Sequence, residues 1–96
     1  MLVRIVKMTF IHENIADLEQ LFQTNTHKMS AFEGCDFLEL YQNQPNIFFT
    51  YSYWKNADFL ENYRTSDCFM EIWSKAKPLF SAKPEAWSVL KRASLS

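Results

Sequence analysis

An α+β sandwich with an antiparallel sheet is predicted by three observations: an opening segment with period-two alternation, two adjacent β-rich runs joined by a short polar turn, and amphipathic stretches at helical spacing between and after them. Ninety-six residues suit a single domain over residues 1–96, and a monomer of this size buries only a modest share of its surface. The chain is 48% hydrophobic and 17% aromatic, more aromatic side chain than a small core easily hides. The surplus suggests a self-association face or a lined pocket.

Leu2, Val6, Met8 and Phe10 alternate with Val3, Ile5, Lys7 and Thr9, which predicts a first strand with apolar residues on both faces. In "HENIADLEQLFQTNTHKMSAF" the period changes: Ile15, Leu18, Phe22, Met29 and Phe32 share one helical stripe, with Asn14 as N-cap and Gly34 as terminator. "CDFLELYQ" and "IFFTYSYW" then form a hairpin through "NQPN", where Pro and Asn supply turn geometry. With the loop at Asn43 to Asn46, Gln42 pairs with Ile47 and Cys35 lies opposite Trp54. This register places Leu38, Leu40, Ile47, Phe49 and Tyr51 on one nearly apolar face, and Phe37, Glu39, Tyr41, Phe48, Thr50, Ser52 and Trp54 on the other.

Asn56 caps a short helix carrying Phe59, Leu60 and Tyr63, and Ser66 caps a second in which Phe69, Ile72, Trp73, Ala76 and Phe80 recur at helical spacing. Pro78 bends or ends that helix, and "AWSVLKR" from Ala86 is β-rich enough for a final strand. The order β-α-β-β-α-α-β reads as a ferredoxin-like sandwich with a split second helix.

Composition excludes several function classes. The net charge is -1, with acidic and basic residues spread along the chain, so there is no electrostatic footprint for nucleic acid or an anionic membrane. No apolar run has the length of a membrane span, and "MLVRIVKMTF" alternates where a signal peptide would be continuously apolar; a soluble, cytoplasmic protein is expected. Cys35 and Cys68 lack CxxC spacing or a nearby histidine, so the expectation is two reduced thiols and no metal site. A Gly-rich phosphate loop, a nucleotide fingerprint and a nucleophile elbow are all missing, so no cofactor is expected.

The segments "VRIVKMTF", "FEGCDFLELYQ", "FFTYSYW", "DFLENYRTSDCF" and "PEAWSV" together resemble the antibiotic biosynthesis monooxygenase domain family of the dimeric α+β barrel superfamily. The resemblance covers nearly the whole chain and implies a homodimer whose two sheets close an eight-stranded barrel, with a pocket in each subunit between sheet and helices. It is less specific for activity, since the same domain serves cofactor-free oxygenases, haem-degrading enzymes and isomerases. In the haem-degrading branch, which resembles this chain at the same helix entry, a haem-ruffling Trp stands where this sequence has Tyr63. The iron-ligating His stands ten residues later, at Trp73. Indole cannot ligate iron, and the first-strand Asn of those enzymes is missing from "VRIVKMTF", so haem degradation is not expected.

What the resemblance implies instead is a cofactor-independent monooxygenase acting on a small aromatic or quinol-like compound. Such a reaction needs an apolar cavity, a group that takes a phenolic proton, and donors that hold the resulting anion. Tyr41, Phe48, Trp54, Tyr63 and Trp73 are the candidate cavity walls, Glu39 or His27 the candidate base, and Arg64, Ser52 or Tyr51 the candidate donors. Each has a structural reading beside the chemical one: an ion pair of Arg64 with Glu61 or Asp67, a solvated Glu39, a surface His27, and Trp73 as core. The competing function is a non-catalytic dimeric domain that binds a small apolar metabolite or another protein.

Overall fold

The structure is a computed structural model that describes residues 1–95. β1 (Leu2–Thr9) leads through a 3-10 turn into α1 (Ile15–Ser30), followed by the hairpin of β2 (Cys35–Gln44) and β3 (Ile47–Trp54). Two helices follow, α2 (Ala57–Arg64) and α3 (Asp67–Ala76), then a 3-10 turn around Pro78 and β4 (Glu85–Leu90). The four strands form one antiparallel sheet in the order β2-β3-β1-β4. This is the ferredoxin-like α+β arrangement expected from the element order, and no helix among the described residues is long and apolar enough to cross a membrane.

Side-chain capping fixes the two later helices. The Asn56 carboxamide oxygen accepts from the backbone N–H groups of Asp58 and Phe59, at 3.0 and 3.2 Å, and the Ser66 hydroxyl accepts from Phe69 N–H at 3.1 Å. Asn14 occupies the start of α1, but its side chain makes no cap; the chain turns in through the 3-10 segment His12–Asn14 instead. Gly34, at φ +87°, lets the chain reverse into β2 with Phe59 of α2 packed directly where a Cβ would stand.

The hairpin register begins as expected, with Cys35 opposite Trp54, and then departs: Gln42 pairs with Phe48 and not with Ile47. β2 carries an extra residue between Cys35 and Phe37 and another between Gln42 and Gln44, so the turn tightens to Pro45–Asn46. Between these two bulges, Leu38 lies opposite Ser52, Glu39 opposite Tyr51, and Leu40 opposite Thr50. A one-residue slip exchanges the faces of a strand. The β3 assignments stand, but Leu38 and Leu40 share a face with Thr50 and Ser52, whereas Glu39 and Tyr41 share one with Phe49 and Tyr51.

The helices cover the inner face. At one end of the sheet, Leu2 and Trp54 pack with Leu60 and Tyr63 of α2; at the other, Met8, Phe10 and Phe48 pack with Leu18 of α1. The two middle inner-face rungs of the β1–β3 pair are Arg4–Ser52 and Val6–Thr50. Neither of the β3 partners, Ser52 and Thr50, reaches far toward the helices. The outer face carries Phe37, Phe49, Tyr51 and Tyr53, half-buried and uncovered by any helix, beside Tyr41, Trp87 and Val89, each between 45% and 47% exposed.

Candidate functional site

The short middle rungs of the sheet produce a cavity. Its volume is about 220 Å³, and it lies between the two core clusters under α1, α2 and α3. The floor is made by Arg4, Val6, Thr50, Ser52 and Leu38, and the walls at α2 and α3 by Tyr63, Phe69, Ile72 and Trp73. Ala86 and Pro84 mark the rim toward β4, an edge strand whose residues are all exposed.

Trp54 is almost fully buried at 1% exposure, and its indole N–H donates to Ser52 Oγ at 3.0 Å. The Ser52 hydroxyl in turn donates to the Arg4 carbonyl at 3.4 Å, so Ser52 is a buttress for Trp54 and not a free donor. Tyr63 lies against Trp54 with centroids 5.0 Å apart, and edge-on to Phe32 and Phe69. Burial raises its phenol well above the ordinary value, with the Cys68 and Cys35 thiols adding smaller contributions, so Tyr63 stays protonated. Trp73 is half-buried, stacked on Phe69 at 5.7 Å and 13° and edge-on to Phe80. It is both a packed residue and a wall of the cavity.

Charge enters the cavity from one side only. Arg4 projects from the inner face of β1, its Nη1 donating to Ser88 Oγ at 2.9 Å. Arg64, at the last turn of α2, also lines the cavity and pairs with Glu61 at 3.2 Å. Burial and the neighbouring Arg64 both lower the Arg4 pKa, with Glu61 offsetting part of the effect. The Arg4 guanidinium is nevertheless charged at neutral pH. None of the lining residues is a carboxylate or an imidazole.

Five expected site residues therefore lie elsewhere. The two bulges carry Glu39 and Tyr41 to the outer face, where the Tyr41 hydroxyl donates to the Glu39 carboxylate and its pKa is raised by that bond. His27 is exposed on α1, outside the cavity lining, and Phe48 is core, edge-on to Phe10 with centroids 5.8 Å apart. Tyr51, the alternative donor, is also an outer-face residue. Ser52, Trp54, Tyr63, Arg64 and Trp73 do come together around the cavity. Arg4 escaped the sequence reading, although its even position between Leu2 and Val6 puts it on the same side of the first strand as both.

No group of three or more potential ligands is gathered for a metal among the described residues. Burial raises the Cys35 thiol pKa, which leaves it a poor nucleophile at neutral pH.

A sheet with helices on one face is shared with a well-populated class of small α+β domains. The sequence profile of the antibiotic biosynthesis monooxygenase family matches residues 1–73. The chain belongs to that family. Among solved structures it is similar to a conserved protein from Methanosarcina mazei Go1, with 23% identity over 96% of this chain and 94% of that one, at a TM-score of 0.89. It is also similar to an antibiotic biosynthesis monooxygenase, with 16% identity over 97% of this chain and 100% of that one and a TM-score of 0.90. A protein of Mycobacterium tuberculosis aligns with 14% identity over 99% and 98%, at a TM-score of 0.88. At these identities the likeness establishes the fold. No curated protein matches the sequence.

Proposed function

We propose that the chain is a cytoplasmic, homodimeric, cofactor-independent monooxygenase whose cavity takes a small aromatic or quinol-like compound. The observation that carries this reading is the cavity itself: about 220 Å³ with aromatic walls and two guanidiniums at one side. A dry apolar cavity of about 150 Å³ holds benzene, so this one suits one ring or two fused rings. Membership of the family supplies the reaction class.

In this reading the substrate is an acidic phenol or an activated methylene compound, bound with its ring against Trp73 and Tyr63. Arg4 and Arg64 favour its anion, so the ionised form accumulates in the cavity without a protein carboxylate to remove the proton. The electron-rich anion reduces oxygen directly. For an activated methylene, one oxygen atom becomes the new carbonyl and the second leaves as water with the two methylene hydrogens. The substrate supplies all four electrons, and no external reductant is required. The uncovered aromatic outer face supports the homodimer, because a partner sheet laid against it would remove those rings from water.

A second reading, a non-catalytic binding domain with the same cavity, is favoured by the lack of any carboxylate or imidazole in the lining. Oxygen uptake by the chelator-treated protein with a panel of one- and two-ring quinols and activated methylene compounds separates the two. Saturable uptake that falls on Arg4→Gln substitution supports the oxygenase; saturable fluorescence quenching without uptake by any compound supports the binding domain.

A further inference from the structure

We infer that the cavity selects a planar one- or two-ring aromatic carboxylate, its ring lodged among Trp73, Phe69 and Tyr63 and its carboxylate held by the paired guanidiniums of Arg4 and Arg64. This rests on the cavity being the substrate site and adds the charge class of its occupant.

The first support is an imbalance of charge. Two cations line the cavity and no anion does; Glu61, the carboxylate paired with Arg64 at 3.2 Å, is itself exposed. Arg4 forms no ion pair among the described residues. Like charges brought together at a partly buried site oppose each other and incur desolvation, as the depressed Arg4 pKa records. A bound carboxylate removes both penalties at once.

The second support is geometry. Arg4 is held by a single side-chain hydrogen bond, Nη1 to Ser88 Oγ at 2.9 Å, which orients the guanidinium and leaves its other donors available. A guanidinium fork matches the two oxygens of a carboxylate in a way that a single phenolate oxygen cannot reproduce. Beyond Arg4 along β1 the inner face becomes apolar, with Val6 and then Met8, so the ligand's polar end is fixed at the arginines. Size completes the class, since about 220 Å³ accommodates two fused rings but not a larger ring system.

The test is equilibrium binding by tryptophan fluorescence under nitrogen at neutral pH, with 2-naphthoate and its methyl ester as probes. Neither probe is oxidised, so binding is read independently of turnover. The acid should bind the unaltered protein about tenfold or more tightly than the ester. Arg4→Gln should abolish most of that preference, and Arg64→Gln, on the solvent side, about threefold of it, each leaving the ester's affinity unchanged. Retained thermal midpoints would show that the variants are folded, and Arg64→Gln provides the readout should Arg4→Gln fold poorly. Equal affinities for acid and ester, or no saturable binding of naphthoate, overturn the inference. A preference for the acid in a protein that consumes no oxygen with any one- or two-ring quinol or activated methylene compound would leave the carboxylate site standing and remove the oxygenase.

Discussion

The two faces of the sheet carry opposite chemistry for their surroundings. The inner face, under the helices, holds Arg4, Thr50 and Ser52 at its centre, whereas the outer face, which no helix covers, holds Phe37, Phe49, Tyr51 and Tyr53. A one-layer helix cover over an antiparallel sheet ordinarily leaves polar residues outside and packs apolar ones within. The inversion is informative on both sides. Short and polar residues beneath the helices leave room for a ligand, and rings on the open face form an aromatic surface that no helix of the described residues covers.

Breaking the inner face where it is solid should have the largest effect. Trp54→Ala removes the largest fully buried side chain and its bond to Ser52, and should lower stability by about 3–5 kcal/mol in chemical denaturation. On the outer face, Phe49→Glu should weaken self-association by about 3 kcal/mol, seen as monomers in sedimentation. Lys7 lies directly opposite position 49 on β1 and can pair with the new carboxylate, so the monomer should stay folded. A soluble dimer of unchanged affinity would show that the rings of this face are not an interface.

Trp73→Ala sharpens the distinction between wall and core. Because Trp73 is half-buried, the stability loss should be about 2 kcal/mol, smaller than at Trp54, while ring binding in the cavity weakens. A loss as large as that at Trp54 would make Trp73 a core residue alone. The smallest effect concerns alkali. Tyr63 has its phenol pKa raised by burial above the ordinary 10.0, so the folded state holds its proton more tightly than the unfolded state. Its contribution is complete below about pH 10 and declines as pH rises beyond that toward the folded-state value. Tyr63→Phe should therefore flatten the stability profile above pH 10; an unchanged slope would place the hydroxyl in solvent.

Much of the fold was legible because its signals are local. The Asn56 and Ser66 caps sit at fixed offsets from the N–H groups they serve, and the alternation from Leu2 to Phe10 needs no partner to be recognised. The two β2 bulges had no such signal: each inserts one residue into a run whose apolar alternation reads equally well in either register. That slip displaced Glu39 and Tyr41 from the site. His27 could have been set aside from sequence, since it lies off the stripe of Ile15, Leu18, Phe22 and Met29. The cavity was hidden for another reason, because the gap arises only when the short side chains of β3, Thr50 and Ser52, lie beneath helices held apart by larger residues at both ends.

The most direct test is mass spectrometry of the product formed from a one- or two-ring quinol under oxygen-18 gas, with chelator present and no added cofactor. One heavy oxygen atom is expected in each product molecule, together with loss of the reaction on Arg4→Gln substitution. Product without heavy oxygen, or formed equally fast without the protein, would contradict the assignment of this cavity to oxygen transfer.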